Sequence, residues 1–187
     1  MAPKMSILRH QKCIEMKDND NELLPRVDEA GNVIGSVTRG EAHGGSHILH
    51  PVVHLHVFNP AGDIYLQHRP HWKTVQPDKW DTACGGHISS GESVEEALRR
   101  EVEEELGITG YKPVFLKKYI FESDVDREYV YAFSTVYDGE IRPDSVELSG
   151  GRFFSPEELA ASFGKGVMTP NFESEYRMLF LEHPDTE

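Results

Sequence analysis

The stretch 93–107 constrains this chain more than any other. Between Ser93 and Leu106 the apolar residues recur with helical spacing, Val94, Leu98 and Val102 forming one stripe, and Gly107 stands where a left-handed C-terminal cap belongs. Glu101, Glu104 and Glu105 then fall at i, i+3 and i+4, so their carboxylates leave the helix on one face. At about 100° per residue, Glu105 projects between Val94 and Leu98, at the edge of the core. Three like charges so close repel by roughly a few tenths of a kcal/mol per pair when exposed, and by more when partly buried. A hard divalent cation offsets that repulsion. The commoner meaning of a glutamate run is a solvated face, which needs no cation. Only the flanking residues choose between the two.

Upstream, residues 23–28 and 33–38 read as the strands of a hairpin, preceded by a loose arm over residues 1–22. Residues 51–58 and 64–69 are a strong strand and its returning partner around Asn-Pro-Ala-Gly-Asp. A loop with two tryptophans covers 70–80, and a short strand holding a Gly-Gly pair covers 81–88. Strands are expected over 114–121, 128–137 and near 150–154. Ser155-Pro156 opens a helix, and 172–181 forms the last one. With no internal repeat, residues 23–187 make one α/β domain of mixed strand order.

Composition narrows the partners. Of 187 residues, 32 are acidic and 19 are Lys or Arg, for a net charge of −13. Such a surface repels nucleic-acid backbones and anionic membranes, yet accepts a polyphosphate when divalent cations stand between. No run approaches the roughly 18 apolar residues of a membrane span, and the start carries no secretory pattern, so the expected location is cytoplasmic. Two cysteines, Cys13 and Cys84, fit a reducing compartment. A homodimer is compatible with all of this.

Residues 86–108 resemble the Nudix box: a glycine, five residues, a glutamate, seven residues, then Arg-Glu-apolar-any-Glu-Glu-any-Gly-apolar. Gly86, Glu92, Arg100, Glu101, Val102, Glu104, Glu105, Gly107 and Ile108 match all nine positions. The resemblance implies a Nudix-type α/β/α sandwich around a mixed sheet, here with an N-terminal β-hairpin. It implies Mg²⁺, for which Mn²⁺ substitutes, on Glu101, Glu104 and Glu105, with the Gly86 carbonyl and Glu92 in the same set. Glu92 is also expected to pair with Arg100 and hold the loop on the helix. The family's reaction is hydrolysis of a diphosphate linked to another group, by water attack on phosphorus. A nearby glutamate takes the proton, which makes Glu105, Glu104 and Glu128, with Arg100, the candidate catalytic residues.

A second, narrower resemblance lies upstream. His43 and His50, seven residues apart and followed by a strand ending Phe58-Asn59, look like the isopentenyl-diphosphate isomerase branch of the superfamily. That branch adds a histidine after the box glycine, here His87, and an acidic pair on a later strand, here Asp126 and Glu128. The five imply a second site suited to Mn²⁺ or Zn²⁺. Arg69, Lys73 and Trp80 match the branch's loop pattern and Tyr119 its tyrosine, which makes them candidate substrate-binding residues. The isomerase, however, needs a cysteine where this chain has Gly85. Cys84 is one residue off, and on a strand that turns the side chain to the opposite face. The expected function is therefore hydrolysis of a diphosphate linkage in a nucleoside diphosphate or a compound linked to one. An isomerase and a non-catalytic nucleotide-binding regulator are the alternatives.

Overall fold

The computed structural model describes residues 19–73 and 75–182. Most of the expected N-terminal arm, and Cys13 within it, lies outside them. The described chain opens with the hairpin β1 (Leu23–Val27) and β2 (Val33–Thr38), paired antiparallel. Asp28 closes its turn by accepting the amides of Ala30 and Asn32, each at 2.9 Å. Thr38 and Glu41 form a capping box on α1 (Arg39–Ala42), a short helix that follows the hairpin.

The main sheet has seven strands: β3 (His50–Phe58), β4 (Ile64–His68), β5 (Trp80–Thr82), β6 (Cys84–His87), β7 (Val114–Glu122), β8 (Arg127–Val136) and β9 (Gly151–Phe154). Its path runs β5-β4-β3-β8-β7, with β6 added on β3 and β9 on β4. Only β3 and β8 pair in parallel, so the sheet is mixed as expected. β3 is buried from His50 through Val57, which explains its near-continuous apolar and histidine content. The single strand expected over 81–88 is two strands that switch partner at Ala83, β5 pairing β4 and β6 pairing β3.

Alternation along β3 and β6 divides the two faces. Val53, Leu55 and Val57 join Cys84 and the inner stripe of α2 (Val94–Leu106), namely Ala97, Leu98, Val102 and Leu106, in one cluster. A Ser93–Glu96 capping box starts α2, and Gly107, at φ 63°, ends it. Cys84 is fully buried in this cluster, so its place one residue before Gly85 makes it a packing side chain. The other face carries α3 (Pro156–Ser162) and α4 (Pro170–Tyr176) over Ile64, Leu66, Phe154 and Met168. The final helix begins earlier than the sequence reading set it, because Thr169 caps it and Pro170 takes its first turn, and it runs into a π-helical turn over Arg177–Leu181. Helices on both faces complete the α/β/α arrangement.

Candidate metal and diphosphate site

The box folds as a strand end, a loop and a helix tied together by one guanidinium. Arg100 donates from Nε and Nη2 to the two oxygens of Glu92, both at 2.8 Å, and from Nη1 to Glu101 at 2.6 Å. Nη2 also reaches the His87 carbonyl at 3.0 Å, and Nη1 lies 3.4 Å from Glu104. Glu92 accepts the Ser89 amide at 3.0 Å as well. Its oxygens are thus engaged in holding the loop, and the hydrogen bond from Arg100 keeps its carboxyl below the usual range.

Gly86 stands against Glu101 so closely that a Cβ there would land on the carboxylate. A side chain there would have to push the Glu101 carboxylate aside, away from Arg100. Burial raises the Glu101 carboxyl. Burial, with Glu101 nearby, raises Glu105 to about 8. The Glu105 carboxylate reaches the Gly85 amide at 3.4 Å, while Glu104 is mostly exposed. Among the described residues, Glu101, Glu104 and Glu105 do not form a group whose ligand atoms all lie within 4.8 Å of one another. What they share is one helix face, with Glu101 and Glu105 drawn out of water, where a hard divalent cation would offset their repulsion.

The histidines converge as well. His43 is at the C-terminus of α1, His50 opens β3 and His87 ends β6. The parallel register sets His50 opposite Glu128, with Asp126 just before β8. His43 Nδ1 is 2.5 Å from Asp126, His43 Nε2 is 2.8 Å from His87 Nε2, and His50 Nε2 is 3.8 Å from Asp126. Ligand atoms of His43, His50 and His87 lie within 4.8 Å of one another, as do those of His50, Asp126 and Glu128. His50 Nε2 is buried and has no hydrogen-bond partner among the described residues. Burial lowers the pKa of His50 and holds that of His87 well below its ordinary value, so both rings favour the neutral state that offers a lone pair. Burial, with Asp126 nearby, raises Glu128 to about 7. This mixed nitrogen and oxygen set fits a transition metal better than Mg²⁺.

The remaining sequence candidates have other company. Arg69 donates to Asp81 at 3.1 Å and to the carbonyls of Val75 and Gln76, which shapes the 70–80 loop. Lys73 lies over Trp72 and 3.2 Å from Glu147. Trp80 opens β5 and packs edge-on against Phe154, inside the α3–α4 cluster. Tyr119 packs beside Val52, Val130 and Ala132 with its hydroxyl buried, and burial with the charge of nearby Glu175 raises its pKa.

Sequence reasoning missed the group at the centre of this face. Glu175 of α4, 1% exposed, lies 3.1 and 3.0 Å from His54 Nδ1 and accepts the Thr82 hydroxyl at 3.2 Å. The only signal was the crowding of histidines on β3.

The pattern of the NUDIX domain family matches residues 48–172. A Nudix hydrolase of Streptomyces coelicolor is 32% identical over 164 residues, which covers 85% of this chain and 88% of that protein. An isopentenyl-diphosphate Δ-isomerase of Nocardia farcinica is 34% identical over 140 residues, 72% of this chain and 80% of that one. Among solved structures, a Deinococcus radiodurans protein superposes with a TM-score of 0.75 at 25% identity, covering 85% of this chain and 99% of its own. With its box complete, its fold matched and its sequence pattern covering most of the sheet and both faces, this chain belongs to the Nudix hydrolase family.

Proposed function

We propose that this chain hydrolyses a diphosphate linkage in a nucleoside diphosphate, or in a compound linked to one, by attack of water on phosphorus. The observation that carries the reading is the cradle at Gly86, where the absence of a side chain leaves room for the Glu101 carboxylate that Arg100 holds. Glu101, Glu104 and Glu105 would hold Mg²⁺ or Mn²⁺, which neutralises phosphoryl oxygens and acidifies water when bound. Arg100 and Glu92 keep loop and helix in register, which fixes the Glu101 carboxylate beside Gly86. Glu105 and Glu128, both drawn out of water by the fold, are the carboxylates proposed to take the proton as water attacks. The five-residue histidine set would take Mn²⁺ or Zn²⁺ next to it, since His87 follows Gly86 directly.

A second reading, isomerisation of isopentenyl diphosphate, is favoured by that histidine set and by the Nocardia relative. Gly85 speaks against it, because no thiol stands there and Cys84 faces the core.

The test is a panel of nucleoside diphosphates, nucleoside diphosphate sugars, dinucleotides and coenzyme A with Mg²⁺, Mn²⁺ or excess chelator. The expected result is monophosphate product that disappears with chelator and returns with metal. Full turnover in excess EDTA refutes the reading, and deuterium uptake from heavy water into isopentenyl diphosphate selects the isomerase. Elemental analysis of the purified protein and of His50→Ala and His87→Ala checks the histidine site, which should lose its Mn²⁺ or Zn²⁺ in both variants.

A further inference from the structure

His54 sits at the middle of β3, on the sheet face opposite α2 and across from Gly85 of β6, with its ring fixed on one side by Glu175. Nδ1 faces Glu175, whose carboxylate is spent inward on His54 and Thr82, with His56 Nε2 3.4 Å away. Nε2 points the other way and makes no hydrogen bond among the described residues, although His54 is only 8% exposed. A Cβ added at Gly85 would lie 3.4 Å from this nitrogen and 3.2 Å from Cδ2. The ring edge therefore fills the space above Gly85, while the amide of Gly85 meets Glu105. His54 and Glu105 stand on either side of one residue. Along the strand His54 is four residues from His50, roughly 13 Å.

His54 turns its second nitrogen towards the strand that carries the box glycine, and Gly85 leaves room for it because it has no side chain. Burial alone would lower the imidazole pKa, but the charge and hydrogen bonds of Glu175 override it and raise it to about 9. The ring is then cationic near neutral pH, and the charged groups acting on it, Glu175, Glu128 and Asp81, are acidic. It is the complement of a phosphoryl oxygen.

We propose that His54 is a substrate-contacting residue whose Nε2–H binds a phosphoryl oxygen of the diphosphate, with Glu175 the positioning residue that fixes its ring. The proposal rests on the diphosphate-hydrolase reading above.

The experiment uses the full chain with Mg²⁺ and inorganic pyrophosphate as probe, read by the side-chain nitrogen resonances of His54 and by the pyrophosphate Kd. Wild-type protein should show the Nε2 resonance moving on saturation. His54→Ala should weaken Kd and lower kcat/KM by roughly tenfold to a hundredfold, as expected for a charged hydrogen bond. His54→Gln, whose amide reaches the same region, should recover part of the loss, and Glu175→Gln should fall between. A purely structural role would lower the melting temperature of His54→Gln yet leave its Kd and kcat/KM at wild-type values, and that result overturns the proposal. Should His54→Ala fail to fold, an unmoved Nε2 resonance in the wild-type titration overturns it equally. The parent reading fails separately, by absence of turnover with every nucleoside diphosphate compound tested.

Discussion

Replacing Arg100 with alanine tests the site at its most connected side chain. The guanidinium makes two bonds of 2.8 Å to Glu92 and one of 2.6 Å to Glu101, while Arg100 is 32% exposed and the two carboxylates are 16% and 14% exposed. Exposed ion pairs contribute about 0–1 kcal/mol, and breaking a buried one costs about 3–5 kcal/mol. A half-buried, bidentate set lies between, at about 2–3 kcal/mol. For a domain of this size that lowers the melting temperature by roughly 5–10 °C. The pH dependence has a definite sign. Arg100 depresses the Glu92 pKa below its ordinary 4.5, so this stabilisation is present above pH 4.5 and lost as pH falls through the lower folded value. The gap between wild type and Arg100→Ala should therefore narrow in acid. Glu101 loses its anchor at the same time, and metal affinity or kcat should fall roughly tenfold to a hundredfold. Calorimetric melting across pH 3–8 and Mg²⁺ titrations of turnover measure both effects. A variant with unchanged melting temperature and unchanged Mg²⁺ dependence refutes the reasoning.

Three further outcomes are expected. Gly86→Ala should keep its fold, because β6 is extended there, but lose its response to Mg²⁺ as the new methyl displaces Glu101; wild-type Mg²⁺ dependence would show that the cradle is not needed. Cys84→Ala should cost about 1 kcal/mol of stability and leave turnover intact, whereas Glu105→Gln should lower kcat about a hundredfold or more, and the opposite ranking would point to thiol chemistry. Glu175 supports a raised His54 pKa, so that pair stabilises fully below pH 6.5 and is lost as pH rises through about 9; urea titrations should show wild type losing its advantage over Glu175→Gln across that rise, and a constant difference up to pH 10 would contradict it.

How much of this was legible beforehand depended on sequence distance. The box is read over 23 consecutive residues, because a capping serine, a helical stripe and a terminal glycine act within a few turns of one another. Strand parity likewise placed Cys84 in the core from its one-residue offset, since alternation is a property of any extended chain. Arg69, Lys73 and Trp80 show what local reading leaves out: their residue types suit a ligand loop, and only the fold shows that Arg69 also holds loop carbonyls, Lys73 stands beside Glu147 and Trp80 packs on Phe154. Seven-residue spacing could not by itself bring His43 to His50. Convergence came from the parallel register of β3 on β8, which sets Glu128 beside His50, and from the β6 register, which carries His87 to the same end. Glu175 was beyond reach of any local pattern, being 121 residues from His54. Its carboxylate acquires meaning only when α4 closes over the sheet, because a buried charge must find its partner in space and leaves no period along the chain.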